Sequence, residues 1–595
     1  MMKLPQFLKK VDELTVLMEH DELAAFIHEV ARVLPEVRRD DFLSVLAECA
    51  DRVDDDGKRG IPKDDGLGEI VSEIESVITE LEEINEGEKC LDSEYNEEWD
   101  DWYNSDVDEI LFSDPNHLLV TISRAIELVH LCIDRNLIDA GCRLAGVLCY
   151  IEVQAEGDYS DFDGSPLDLN ELYEHDLLSG SIENCLKECL YLTYMGNELN
   201  ARAKEIFFLF DRFRYNSVCL EDVLQMGNHE LPEFDAFLTL WIDYLGKQNG
   251  ECANRLITEA QSMVEDDFAL LENARKYADI HPELYLQLLE MKNSAGEDEK
   301  MLGIGQEALN AISVELVIRS AVALKTAEYA DRLCRFDVRE RCWIEALRSN
   351  TSVINYMRIK FLPRNAGQYR EEVLSIIHEQ YDALLKAKGS DSYYSYLDGR
   401  QSSLDKKSYC VMMFFESDFE AMEKVGMSIK QPLGWSSTFM KEGIAFMLLL
   451  LYQGSLLGIQ SGLQRMLGRV KSAFSFSCEE FYKGTDEKWN KTDDEKFLEI
   501  FENWKDIVDF SEELADKWLK KIEKWIEQRT AGIMETNRRN YYGECAGFIA
   551  ALGEVKESMG EAGGRNRLMV RYKREYNRRS AFHQELKALG MVDVR

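Results

Sequence analysis

Where its prolines fall constrains this chain more than any motif in it. Pro5, Pro35, Pro62, Pro115, Pro166, Pro232, Pro282, Pro363 and Pro432 are all the prolines in 595 residues, and each falls where three-to-four apolar spacing starts or stops. Proline lacks an amide hydrogen and clashes with the preceding turn, so it is tolerated at helix starts and in loops but breaks helix interiors. A chain that confines proline in this way reads as nearly all helix. Leu119, Ile122, Ile126, Val129 and Ile133 recur at alternating intervals of three and four, which places them on one helical face. Asp114-Pro115 before them reads as N-cap and first turn.

The same spacing continues with connections too short for extra domains. Leu4 to Asp51 reads as an antiparallel helix pair broken at Pro35. Ala323, Ala327 and Ala330 make a small-residue face that lets another helix approach, and Arg339 to Arg348 supplies that helix with Cys342, Trp343, Ala346 and Leu347. Pairs repeated without a fixed period predict an all-α, irregular solenoid-like body. Gly443 to Gln464 is 22 residues without a charge, long enough to raise a membrane span. Gln453, Ser455, Gln460 and four glycines dilute it, so it reads as the central buried helix of a C-terminal domain. Phe497 to Thr530 reads as strongly amphipathic, with Trp504, Trp518 and Trp525 as anchors.

Charge divides the chain. Through Met427 there are 42 Lys and Arg against 87 Asp and Glu, and from Ser428 onward 27 against 25. This predicts an acidic helical-repeat domain over 1–405, a junction over 406–434 and a smaller helical domain over 435–595. Gly389 to Ser403, with linker-like composition, is the rival boundary. A net charge of −43 argues against nucleic acid as the main ligand and favours basic proteins.

Catalytic signatures are missing from the sequence. It has no phosphate-binding glycine loop, no Gly-x-Ser-x-Gly and no His-Glu-x-x-His, and Gly303-Ile-Gly305 follows no strand pattern. Fourteen cysteines with no Cys-x-x-Cys, and no sustained apolar run in Met1 to Lys10, suggest reduced thiols in a cytoplasmic protein. Cys185 and Cys189, one turn apart, read as core residues. Asp161-Phe-Asp163-Gly164 imitates part of a calcium loop, but Tyr159 and Asn170 stand where ligands are needed. No metal, no cofactor and no enzymatic activity are expected.

Three stretches are candidate interaction sites. Asp92 to Glu109 sets nine carboxylates around Tyr95, Trp99, Trp102 and Tyr103. There Trp99, Trp102, Asp100 and Asp101 suit a basic partner, or else the stretch is a solvated loop with its tryptophans packed back. Arg565, Arg567, Arg571, Lys573 and Arg574 form a basic run near the C-terminus, read as a protein contact rather than an RNA site because no stacking platform accompanies it. Finally, Lys424-Val425-Gly426-Met427-Ser428 precedes Pro432. Glycine weakens a helix end, proline stops it, and unbranched Met427 suits a protease pocket, while an ordinary loop with Met427 packed on a neighbour is the plain alternative.

Two resemblances bear on these stretches. Arg319 to Ile359, with Trp343-Ile-Glu-Ala-Leu-Arg348, and Asn540-Tyr-Tyr-Gly543 through Phe582 resemble helical repeats that accompany SWIM zinc fingers, but the Cys-x-Cys and Cys-x-His of the finger are missing. The whole layout, an acidic helical body, a methionine-containing junction and a smaller helical domain, resembles the helical substrate of Craspase, the type III-E CRISPR protease complex. That resemblance implies an antiviral-defence protein cut between Met427 and Ser428 by a caspase-like CHAT protease, with Lys424, Val425 and Gly426 recognised. It also implies an extracytoplasmic-function sigma factor and a small accessory protein as partners; from charge and the diluted apolar stretch, no direct nucleic-acid or membrane binding is expected. The competing expectation is a constitutive helical scaffold unrelated to proteolysis.

Overall fold

The computed structural model describes residues 67–96, 110–159, 164–214, 217–226, 231–291, 296–386, 404–428 and 431–593. The expected helix pair of Leu4 to Asp51, the linker-like Gly389 to Ser403, and Trp99, Asp100, Asp101 and Trp102 lie outside them. The described chain is helical, with three short strands. It divides into two compact units, Met1–Asn273 and Ala274–Arg595.

In the first unit, successive helices pack on one another: α1 (Leu67–Asn85), α2 (Leu118–Asp134), α3 (Ile138–Leu148), α4 (Ile182–Gly196), α5 (Leu199–Arg212), α6 (Phe234–Leu245) and α7 (Glu251–Met263). Helix α2 starts at Leu118 with His117, not Asp114, at the N-cap and with Pro115 ahead of the helix; Asp114 still reaches its first turn from outside. Its carboxylate accepts from the Leu118 and Leu119 amides at 2.9 Å each, while His117 takes the left-handed conformation at φ 55°. The strands were not foreseen: β1 (Leu91–Tyr95) pairs antiparallel with β2 (Ile110–Ser113) and parallel with β3 (Ala155–Gly157). Asp168, beyond the calcium-like loop, is an N-cap whose carboxylate accepts from the Asn170 and Glu171 amides.

The second unit opens with Glu283–Glu290, then α8 (Asp298–Ala311), α9 (Ile318–Arg332), α10 (Phe336–Ser349), α11 (Val353–Phe361) and α12 (Arg370–Lys386). The alanine face behaves as expected: Ala323, Ala327 and Ala330 are buried on α9 against α10. Gly303 and Gly305 lie inside α8, where a side-chain carbon on Gly305 would stand 2.2 Å from Thr326 Oγ1. Gly305 thus serves helix packing, while Gly303 is exposed with open space beside it. After α13 (Lys406–Phe415) and α14 (Phe419–Gly426) come α15 (Met440–Leu451), α16 (Ser461–Ala473), α17 (Asp493–Ile507), α18 (Glu512–Glu535), α19 (Tyr542–Ser558), α20 (Gly564–Glu575) and α21 (Ser580–Ala588).

Three sequence expectations change here. The uncharged stretch supplies the buried α15 but breaks after Leu451, and no helix among the described residues is long and apolar enough to cross a membrane. The central helix is α19, which packs against α15, α16, α18, α20 and α21. The tryptophan-anchored stretch is two helices, because the chain leaves α17 at Val508 and re-enters helix after Ser511, whose hydroxyl caps the Leu514 amide.

The charge boundary moves as well. Met1–Asn273 contains 21 Lys and Arg against 63 Asp and Glu, whereas Ala274–Arg595 contains 48 against 49. The expected junction over 406–434 lies inside the second unit, where one hydrophobic core runs from Ala327 through Met427 to Met591.

Candidate functional site

The junction is built around α14. The Asp418 carboxylate caps it by accepting from the Ala421 amide at 2.9 Å, and Phe419, Met422 and Gly426 make its buried face. Gly426 is not a weak point. A side-chain carbon there would lie 2.6 Å from Cys410 Sγ and 2.7 Å from Phe439 Cβ, so glycine is what lets α14 approach its neighbours. The Phe439 amide donates to the Gly426 carbonyl at 3.1 Å, tying the helix end to the start of α15. Burial pushes the Cys410 thiol up to about 12, with Asp405 adding to the effect, so it stays protonated beneath this contact.

Met427 continues the helix by one hydrogen bond, its amide donating to Glu423 at 2.9 Å. Its side chain is 2 % exposed. Gly443 on α15 leaves the space it fills: a side-chain carbon there would be 2.6 Å from Met427 Sδ. Lys424 and Ser428 are exposed, Val425 is half-buried, and the Ser428 hydroxyl donates to the Lys424 carbonyl. The expected cleavage residues are therefore brought together, but with Met427 turned into the core and Lys424 to Gly426 helical. A protease takes its substrate extended, so cutting Met427–Ser428 requires this helix end to open first.

Helix α18 holds both flanks. Lys521 Nζ donates to the two Glu423 carboxylate oxygens at 2.8 and 2.7 Å, and a groove of about 380 Å³ beside them is lined by Phe419, Glu423, Trp518 and Lys521. Eight residues on, buried Arg529 donates to the Pro432 carbonyl at 2.8 Å and to Glu544 at 2.8 and 3.1 Å. Pro432 opens a short 3-10 turn to Ser437, whose Trp435 lies under the Arg529 guanidinium and edge-on to Phe548. Lys441 completes the cluster with Glu544 at 2.7 Å. Sequence reasoning missed Lys521 and Arg529 because the junction groups they hold, Glu423 and Pro432, lie about a hundred residues away; only their four-residue register with Trp525 hinted at a shared face.

The basic run is not a free patch. Arg565 pairs with Glu557 at 2.9 Å, Arg567 with Glu561 at 3.3 Å, Arg571 with Glu527 at 2.6 Å and Glu523 at 3.6 Å, and Lys573 with Asp593. Arg574 stays exposed. Four of these five charges are answered within their own unit.

Buried ionisable groups elsewhere serve the fold. Glu416 accepts from Tyr356, Lys360 and Arg370 at 2.9, 2.8 and 2.9 Å. Burial alone would raise its pKa, but Lys360, Tyr356 and Arg370 outweigh burial and hold it below the usual carboxylate range. Cys185 and Cys189 are buried on α4, where Cys149 and Cys185 hydrogen bond with the Cys189 thiol and keep it protonated. Among the described residues no group of three or more His, Cys, Asp or Glu is placed to hold a metal ion. No protein-family model matches the chain, and no curated protein matches it.

Proposed function

We propose that the protein is a non-catalytic, CRISPR-associated defence protein: its acidic first unit holds a basic partner, and an RNA-activated CHAT protease cuts it at Met427–Ser428. One observation carries this reading, the segregation of charge by compact unit, 63 acidic against 21 basic residues in the first and near balance in the second. Such a surface attracts proteins that are themselves basic where they meet DNA or polymerase. An extracytoplasmic-function sigma factor is a partner of that chemistry, and the small accessory protein belongs to the same proposal. The buried Met427 favours a second reading, a constitutive helical scaffold unrelated to proteolysis.

The discriminating experiment incubates the intact protein with the target-RNA-activated effector complex and, as control, with a complex whose protease is inactivated. Appearance of Met1–Met427 and a fragment beginning at Ser428, identified by N-terminal sequencing, supports the substrate reading. An uncut chain after full activation supports the scaffold. Sigma-factor binding, if present, should map to Met1–Asn273 and weaken as salt screens the acidic surface.

A further inference from the structure

We propose that α18 is a latch that controls access to the Met427–Ser428 bond; this deepens the substrate reading and, for its biological role, rests on it. The two flanks of that bond are held by one face of one helix. Lys521 and Arg529 stand eight residues apart, two turns along α18, with Trp525 midway. Lys521 grips Glu423 on the last turn of α14, and its ammonium also lies 4.9 Å from the Trp518 ring centre and 5.8 Å from that of Trp525. Arg529 grips the Pro432 carbonyl on the other side.

The two grips differ in strength. Lys521 and Glu423 are each more than a quarter exposed, so water competes for their pair and it opens easily. Arg529 is 2 % exposed and its donors are taken by Glu544 and a backbone carbonyl. A pair buried in that way resists opening, because releasing one partner strands a charge. Local opening should therefore begin at Glu423, peel the end of α14 from α18, and draw Met427 out of the space over Gly443, while Arg529 keeps the Pro432 turn seated. A partner that competes for Lys521, or covers the α14 face of α18, would then set how fast any protease reaches the bond.

The test uses the full chain and subtilisin, which requires only an accessible extended segment, with cuts between Lys424 and Ser428 located by mass spectrometry. Lys521→Glu and Glu423→Lys should each raise the cutting rate there about three- to tenfold, and the double variant with the charges exchanged should return it to within about twofold of wild type. Hydrogen exchange at the Phe439 amide, which donates to Gly426, should speed up in the single variants while exchange in α19 stays unchanged. Single variants cut at the wild-type rate, or a double variant cut as fast as the singles, would overturn the latch, as would an equal rise in α19 exchange. Parallel incubations with the activated CHAT complex separate the two ideas. If the singles open to subtilisin but the complex cuts none of the proteins, the latch stands and the substrate reading falls. If the complex cuts wild type and variants alike while subtilisin does not distinguish them, the latch falls and the substrate reading stands.

Discussion

The two compact units are similar in architecture and opposite in how they treat charge. In the second unit several basic groups meet acids on neighbouring helices: Arg571 on α20 reaches Glu523 and Glu527 on α18, and Lys556 on α19 reaches Glu523. In the first, among the described residues, Arg124 is engaged with Glu73 and Glu127 and Lys187 with Asp222, and across the unit acids outnumber bases three to one. A surplus of one sign costs stability through self-repulsion and gives in return a long-range field for oppositely charged partners. The difference teaches that the acidic surplus proposed to hold a partner and the candidate scissile bond belong to different units. Cutting at Met427 does not divide acid from neutral; it nicks the neutral unit.

The largest effect should follow from that nick. The core shared by Ala327 to Met591 spans the cut, as do the hydrogen bonds from Trp504 Nε1 to the Phe415 carbonyl at 2.9 Å and from Arg358 Nε to the Phe481 carbonyl at 3.1 Å. Fragments ending at Met427 and starting at Ser428 should therefore co-elute on native size exclusion and separate only in denaturant. Fragments that part without denaturant would break the comparison, because the second unit would then not be one body.

Next in size is the buried pair at the Pro432 turn. Arg529→Met leaves Glu544 held by Lys441 but no longer by Arg529 and the Pro432 carbonyl without its donor, and removing one partner of a buried pair typically costs about 3–5 kcal/mol. Urea unfolding followed by hydrogen exchange should show that loss in Ala274–Arg595 while Met1–Asn273 keeps its wild-type midpoint. Met427→Ala should cost less, about 2–4 kcal/mol, for a buried methionine truncated in a packed core. Met427→Glu should be worse than alanine, since it puts an unpaired carboxylate where Sδ meets Gly443. A change in proteolysis of that variant would thus report unfolding as much as recognition, whereas Met427→Leu keeps the volume and tests recognition alone.

Much of this was legible in the sequence. Apolar spacing located most helices, and the alanine face of α9 was read with its partner. What failed did so for physical reasons. A running charge total to Met427 conceals that 274–427 is itself nearly balanced, so it put the boundary about 150 residues late. Gly426 was read as a propensity defect because propensity is local, while its contacts with Cys410 and Phe439 are tertiary. The signal against that reading was present: Met422 and Gly426 are four residues apart, so a buried methionine implies a buried glycine. The neutralisation of Arg571 by Glu523 and Glu527 crosses more than forty residues and leaves no pattern in the basic run itself.

Acid should have the smallest effect, of opposite sign at particular buried carboxyls of the two units. In the first unit, Glu188 and Glu259 have raised pKa values, in each case chiefly from burial, opposed for Glu188 by His130 and for Glu259 by the Leu220 and Glu221 amides. A carboxyl whose folded pKa is raised gives stability that is fully present below the unfolded value, about 4.3, and is lost as pH rises through the folded one. Lowering pH from 7 toward 5 should therefore strengthen the packing around these two carboxyls, on α4 and α7. In the second, Glu416 is held low by Lys360, Tyr356 and Arg370 against burial, so its contribution is present above the unfolded pKa and disappears as pH falls through the folded value. Acidification below about 4 should weaken the contacts around Glu416. Peptide-resolved hydrogen exchange across pH 7 to 3.5, corrected for the intrinsic rate, should show protection of α4 and α7 rising first and protection of α11 and α13 falling later. Parallel curves would mean that charge is not managed separately by the two units, and a Glu416→Gln variant that kept the late fall would assign it to another carboxylate.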